Sequence, residues 1–272
     1  MNTESKTTAF SGNIALNYDE YLGPLLFENY ATDMARRVGL LQPSKVLEVA
    51  CGTGRLTKQL LETLSSNASL VATDISVAML NLAIDKIGEG PKVQWIVADS
   101  MSLPFDDGSF DCVADQFGVM FYSDRVKAYQ ETFRVLEDGG TFIFNSWDIM
   151  SNNPVVMFVK ELMEEYFPVN PPSFYNLPFS YFDQAVIKAD LIKGGFSDIN
   201  IKVLQANGYS ASSYEAAKGL LEGTPMYNGI AEQCADLLPE LIETLSDRLA
   251  EVYGASDLNV PLQALIITAM KK

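Results

Sequence analysis

The stretch Val46-Leu47-Glu48-Val49-Ala50-Cys51-Gly52-Thr53-Gly54-Arg55 decides how the rest of the chain is read. Val46, Leu47 and Val49 make a short apolar run fit for a buried strand. Gly52 and Gly54 permit a tight turn with close backbone approach, and Leu56, Leu60, Leu61 and Leu64 then recur at helical spacing. Strand, glycine turn and helix in that order place unpaired backbone N–H groups of a helix start at the end of a buried strand. In open α/β sheets that is where nucleotide-like ligands bind. A dinucleotide fingerprint would want its third glycine where Thr57 stands, which argues against NAD. Two acids flank the turn instead. Glu48 precedes the glycines, and Asp74 ends the next apolar run, Leu70-Val71-Ala72-Thr73. A carboxylate at that second strand end can accept both hydroxyls of a ribose.

With those acids in place the stretch resembles the first motif of class I S-adenosylmethionine (SAM) dependent methyltransferases, E-x-G-x-G-x-G, which stands here as Glu48, Ala50, Gly52 and Gly54. Ala50 departs from the pattern at the first glycine; alanine allows close approach at negative φ, whereas a positive φ would disfavour it. Leu103-Pro104-Phe105-Asp106-Asp107-Gly108-Ser109-Phe110-Asp111 resembles the family's L-P-F-x-D-x-S-F-D link into the fourth strand. The joint Arg134-Val135-Leu136 followed by Gly139-Gly140 resembles the methyltransferase type 11 group, which acts on small molecules. The resemblance implies an α/β, Rossmann-like seven-stranded sheet, mostly parallel with an antiparallel last strand, carrying helical cap and lid elements. It implies SAM as cofactor, S-adenosylhomocysteine as product and no metal.

The resemblance also carries site residues over. Glu48, Ala50, Cys51, Gly52 and Gly54 form the glycine turn, Asp74 the ribose acceptor, and Ile75 and Met79 the apolar contacts beside the adenine, although core packing would explain Met79 equally well. A third strand, Val93 to Val97, ends at Ala98-Asp99-Ser100-Met101. A carboxylate followed by a backbone amide can serve the exocyclic amine and a ring nitrogen of adenine, the role assigned to Asp99, Ser100 and Met101. Gln116 and Phe117, at the end of the fourth strand, face the transferring methyl in the family. The leading segment folds over the pocket there, which makes Tyr18 and Tyr21 contacts to cofactor or acceptor; packing of the first helix would use them as well. Asp115-Gln116-Phe117-Gly118 is not the N-P-P-Y or D-P-P-Y of enzymes that methylate amino groups of nucleic acid or protein, which favours a small-molecule acceptor.

Composition bounds the alternatives. A formal charge of −16 without any run of Lys or Arg excludes a phosphate-tracking surface, so nucleic acid is not expected as a partner. The first ten residues lack an apolar core and no later stretch is a continuous apolar span, so the chain reads as cytoplasmic. Cys51, Cys112 and Cys234 are widely spaced, and histidine is absent, which removes the commonest general base and metal ligand. In-line displacement at a sulfonium methyl depends mainly on positioning, which suits such a chain. Where the acceptor needs deprotonation, Asp115, Asp148 and Tyr18 are the candidates, and the residues do not choose among them.

In chain order, Gly23-Pro24 signals a turn after an aromatic and polar segment, and Leu26, Tyr30, Met34 and Val38 predict a helix after it. Ser76 suits one helix N-cap and Ser123 or Asp124 another. Residues 167 to 182 are crowded with proline and aromatic side chains, a stiff loop fit to line an apolar acceptor site or to pack on the core. Ile199, Ile201 and Val203 predict strand six, Leu262 to Ala269 strand seven, and the residues between them a helical insertion, a cap or an oligomer surface such as a homodimer's. The expected organisation is a lid segment over 1–24 and a methyltransferase domain over 25–272, with cap or lid insertions at about 149–182 and 206–258. The rival functions are an aminopropyl transferase using decarboxylated SAM and a SAM-binding module without turnover.

Overall fold

The structure, a computed structural model, describes Phe10 and residues 12–272, so the expectation for the polar start of the chain lies mostly outside the described residues. Seven strands, β1 (Lys45–Val49), β2 (Ser69–Asp74), β3 (Val93–Val97), β4 (Phe110–Gln116), β5 (Leu136–Trp147), β6 (Ser197–Ser212) and β7 (Ser256–Met270), form one sheet in the order β3-β2-β1-β4-β5-β7-β6. The first five are parallel, and β7 runs antiparallel to both neighbours, as expected. Each face of β1 is covered: Val46 packs with Leu56, Leu60 and Leu70, and Leu47 and Val49 join the core of the opposite face. That two-sided burial is why apolar residues stand on both faces of the strand, with Glu48 the buried acid among them.

The amino-terminal helices are α1 (Asn13–Asn17) and α2 (Glu28–Leu41), joined by a ten-residue π-helical segment, Tyr18–Phe27. The turn expected at Gly23-Pro24 is absent, and the helix passes through both residues. In the wide i→i+5 register Pro24, which has no N–H, orphans the Asp19 carbonyl. Arg55 fills that gap, its Nη2 donating to Asp19 O at 2.7 Å. A Cβ on Gly23 would sit 2.0 Å from the same guanidinium nitrogen, so glycine is what lets Arg55 lie across the segment. Asp19 Oδ1 further accepts from the Thr53 hydroxyl and from Lys86 Nζ, each at 2.6 Å. The leading segment is thereby latched to the glycine turn.

Helix α3 (Arg55–Thr63) follows that turn and packs with α2 on one face of the sheet. Next comes α4 (Val77–Ile87), whose Ser76 hydroxyl accepts from Met79 N–H, and α5 (Arg125–Val135), where Asp124 rather than Ser123 provides the cap, accepting from Lys127 N–H. The remaining helices are α6 (Pro154–Tyr166), α7 (Gln184–Lys193), α8 (Ser213–Glu222), α9 (Met226–Cys234) and α10 (Leu238–Tyr253). Strand β5 pairs with β7 only as far as Trp147↔Ala264, while β6 and β7 continue together to Ser212↔Ser256. This two-stranded arm rises past the carboxyl ends of the parallel strands and carries α8 to α10. The outer parts of the expected 206–258 insertion are therefore strand, and its helices begin at Ser213. Segment Tyr18–Phe27 crosses the arm at Gly208, where a Cβ would meet Leu25 O at 1.8 Å.

Candidate cofactor site and acceptor chamber

Between β1 and β4 the strand order reverses direction, the place where open α/β sheets hold ligands. A chamber of about 500 Å³ opens there. One end is lined by Ala50, Gly52, Asp74, Ile75, Met79 and Asp99, contributed by the end of β2, the loops after β1, β2 and β3, and the first turn of α4. Gly52 holds φ +57° with no atom within 4 Å of where a Cβ would lie, so the turn leaves open space beside its backbone. Ala50 holds φ +53°, the left-handed conformation that its side chain disfavours. Gly54 serves a different purpose. Its missing Cβ would come within 2.7 Å of Ile87 Cδ1 and 3.0 Å of Ala83 Cβ, so glycine permits helix packing there.

Asp74 shapes the turn from the neighbouring strand. Its Oδ2 accepts from Gly52 N–H at 2.8 Å and its Oδ1 from Ser76 N–H at 2.7 Å, each oxygen keeping a lone pair for another donor. Burial raises its carboxyl above the usual range despite those bonds. Asp99 spends Oδ1 on Met101 N–H at 2.9 Å, and Ser100 and Met101 line the chamber with it. Two carboxylates with free lone pairs, a backbone amide beside one of them, apolar side chains between them and an open glycine turn are the donor and acceptor set SAM requires, and the residues fit it.

Two further acids lie beneath this floor. Glu48 is 1% exposed, neither of its oxygens closes a hydrogen bond, and burial pushes its carboxyl up to about 8, which the adjacent Thr57 hydroxyl offsets only in part. Asp115 is fully buried on β4. Its Oδ1 accepts from Gly118 N–H at 2.7 Å and its Oδ2 from the Tyr122 phenol at 2.5 Å, and burial pushes it up to about 7.

The opposite end of the chamber is aromatic. Phe117, φ +60°, stacks on Trp147 at 4.2 Å between ring centroids, and Trp147 stacks on Phe179 at 5.5 Å. Phe27 leans on both Phe117 and Trp147, and Tyr18 stacks on Phe27 at 5.2 Å. Phe121 stacks on Phe174, and Phe10 meets both edge-on. Tyr175 anchors the 167–182 loop, its phenol donating to Leu220 O of α8 at 2.8 Å. The loop is thus both core and wall: Tyr175 and Phe179 are buried, and they line the chamber with Phe174, Leu177 and Pro178.

Of the residues singled out in the sequence, Tyr18, Ala50, Gly52, Asp74, Ile75, Met79, Asp99, Ser100, Met101, Gln116 and Phe117 meet in this chamber. Glu48, Cys51, Gly54 and Asp115 lie behind its wall. Tyr21 packs on α8 beneath Lys218 Nζ, 5.3 Å from its ring. Asp148 also lies outside, committed to Ile149 N–H, Asn152 and Gln263. Phe179 belongs to the 167–182 loop read as fit to line an acceptor site or to pack on the core, whereas Phe27, Tyr122 and Trp147 were not foreseen. Only Trp147 carried a signal, its place at the end of a strand parallel to β4. Among the described residues no cluster of His, Cys, Asp and Glu is fit for a metal ion, and no helix is long and apolar enough to cross a membrane.

The ubiE/COQ5 methyltransferase family model matches residues 7–170, more than half of the 272-residue chain. Demethylmenaquinone methyltransferase of Staphylococcus epidermidis is 28% identical over 207 residues, covering 70% of this chain and 84% of that protein. Its Staphylococcus aureus counterpart is 30% identical over 168 residues, covering 61% and 68%. Among solved structures, YcgJ of Bacillus subtilis matches with a TM-score of 0.57 at 19% identity, covering 90% of this chain and 99% of that one. Phosphoethanolamine N-methyltransferase 2 of Haemonchus contortus, solved with phosphomonomethylethanolamine and S-adenosylhomocysteine, gives 0.60 at 17% identity, covering 94% of this chain and 57% of that one. At such identities the solved structures speak for the fold alone. With the family match and the SAM-fitting end of the chamber taken together, the chain belongs to the ubiE/COQ5 methyltransferase family and is a SAM-dependent methyltransferase of small molecules.

Proposed function

We propose that the acceptor is an apolar aromatic molecule with an ionisable hydroxyl, a quinol of the kind named by the demethylmenaquinone relatives. The observation that carries this reading is the aromatic end of the chamber, where Phe27, Phe117, Trp147 and Phe179 surround a space contiguous with the SAM-fitting end. Flat rings stack well on such walls. Among the described residues none that lines the chamber is Lys or Arg, which speaks against a phosphate-bearing acceptor.

In this reading Asp74 holds the ribose hydroxyls, Asp99 and the following amides the adenine, and Gly52 the open side of the turn. Bound SAM supplies an electrophilic methyl group whose sulfur keeps the bonding electrons. The chain supplies alignment and a dry site, which can account for a large share of the barrier lowering. The described residues up to 24 act as a lid, held by Asp19 on Thr53 and Lys86, over a methyltransferase domain from 25 onward. The 167–182 loop and the helices from Ser213 to Tyr253 form the cap over the acceptor.

The test is incubation with isotopically labelled SAM and a prenylated naphthalene-1,4-diol kept reduced, with products read by mass spectrometry. A labelled methyl on the quinol is expected. Turnover of a phosphorylated amine in its place, with none of the quinol, would overturn the proposal.

A further inference from the structure

Asp115 and Tyr122 are seven residues apart in the chain and joined in space by a 2.5 Å hydrogen bond. The contact follows from local structure. Strand β4 ends at Gln116, Phe117 takes a left-handed conformation, and the 3-10 turn Val119–Phe121 reverses the chain so that Tyr122 returns over the strand end. Asp115 is sealed from solvent, whereas Tyr122 lines the chamber together with Phe117, Met120 and Trp147. A buried carboxylate is therefore connected to the chamber through one phenol. Asp115 serves the turn's backbone through Gly118 and Val119. The Tyr122 phenol is a further partner, from a side chain that lines the chamber.

We propose that Tyr122 and Asp115 form a proton relay that deprotonates the acceptor's hydroxyl during methyl transfer, a step that rests on the hydroxyl-bearing acceptor proposed above. The acceptor's O–H proton passes to the Tyr122 oxygen as the tyrosine's own proton passes to Asp115 Oδ2. The freed oxygen pair drives bond formation to the methyl carbon, from that oxygen or from the ring carbon it activates, whose own C–H proton then returns to the oxygen. The methyl–sulfur bond breaks with its electrons left on sulfur, and Asp115 releases the one net proton to solvent. Tyr122 is the group that touches the acceptor, and Asp115 acts through it.

The surroundings suit a proton that moves near neutrality. Glu48 faces Asp115 from β1 and Asp74 from β2, and both resist a further negative charge. Tyr129 faces it from α5, and the Ser100 hydroxyl lies beside Tyr122. Arg125, the cation that opens α5, is committed to the carbonyls of Val119 and Met120 at 3.1 Å each and to the Tyr181 ring. Burial, the largest influence, holds the Asp115 carboxyl at about 7.

The test compares wild type, Tyr122→Phe and Asp115→Asn, using reduced naphthalene-1,4-diol and a more acidic, nitro-substituted naphthol that is already ionised in the assay. With the diol, Tyr122→Phe should lose about 10²- to 10⁴-fold in kcat/KM, the range for general base catalysis. The wild-type limb near neutral pH should give way to one that follows the acceptor's own ionisation. With the ionised naphthol the variant should come within about 10-fold of wild type, and its SAM dissociation constant should not change. Independently of turnover, infrared difference spectra of the SAM complex across neutral pH should show a carboxyl band that Asp115→Asn removes and Tyr122→Phe shifts. An equal loss on both acceptors, a loss explained by weaker SAM binding, or a band untouched by Asp115→Asn would each overturn the relay. Failure of wild type to methylate either compound would sink the quinol reading alone, and the infrared spectra would still decide the relay.

Discussion

Replacing Ala50 by Gly should stabilise the enzyme, and the size of the effect can be worked from the turn. Ala50 sits at φ +53°, where an L side chain costs about 1–2 kcal/mol relative to glycine. Glycine gives back about 0.4–1 kcal/mol through the greater freedom of the unfolded chain. The net gain is therefore between about 0 and 1.6 kcal/mol, centred on ~0.8 kcal/mol. With roughly 2 cal/mol/K of unfolding entropy per residue, a chain of 272 residues should gain about 1–2 °C in Tm at that centre. The surroundings sharpen the test. A Cβ on Gly118 would lie 2.5 Å from Ala50 Cβ and 2.6 Å from Asp115 Oδ1, while Gly118 itself has an ordinary φ of −86°. Gly118→Ala should thus destabilise by steric overlap alone, by about 2 kcal/mol or more. Ala50→Gly should rescue the part due to the first contact, a coupling of about 1 kcal/mol in a double-mutant cycle. Scanning calorimetry of the four proteins without ligand measures all of this. A lower Tm for Ala50→Gly, or strict additivity with Gly118→Ala, would refute the account of strain at this turn.

Asp74→Ala should cost about 2–4 kcal/mol of SAM affinity, or about 30- to 1000-fold, because the carboxylate that binds Gly52 and Ser76 and is proposed to hold the ribose is lost; an unchanged dissociation constant in calorimetry would remove Asp74 from the site. Phe174→Ala should raise the KM for the acceptor about 10-fold and leave SAM binding alone, since Phe174 stacks on Phe121 at the far end of the chamber. A shift in SAM affinity instead would place that ring at the cofactor. Glu48→Gln should stabilise the apoprotein increasingly as pH rises. The folded carboxyl, held at about 8, keeps a proton that the unfolded chain gives up above about 4.3, so wild-type stability falls with pH across that window and levels beyond it. The gap between variant and wild type, read by denaturant melts, should widen by at most ~1.4 kcal/mol per pH unit up to about pH 8; a constant gap would mean that Glu48 is ionised throughout.

The two ends of the chamber differed in how much the sequence disclosed, and the reason is geometric. Glu48, Asp74, Asp99 and Asp115 each stand at or just past the end of a short apolar run, and parallel strands bring those ends to one edge, so a linear pattern maps onto a spatial one. The acceptor end has no such mapping. Phe27 comes from the leading helix, Phe117 from the loop after β4, Trp147 from the end of β5 and Phe179 from the loop before α7. Nothing in an aromatic residue's neighbours tells a wall from a core. Tyr175 is both, buried on one side and lining the chamber on the other. Gly23-Pro24 misled for a related reason. The pair signals a turn because proline orphans a carbonyl and glycine bends freely, yet Arg55, thirty-six residues beyond Asp19, satisfies that carbonyl and occupies the space glycine leaves. Tyr122 reaches Asp115 in the same manner, by a turn whose reversal depends on one left-handed phenylalanine. In both places a polar side chain arriving from elsewhere completes a backbone or carboxylate that local pattern leaves open. Those contacts tie the leading segment to the glycine turn and the buried acid to the chamber, which are the connections a methyl transfer protected from water requires.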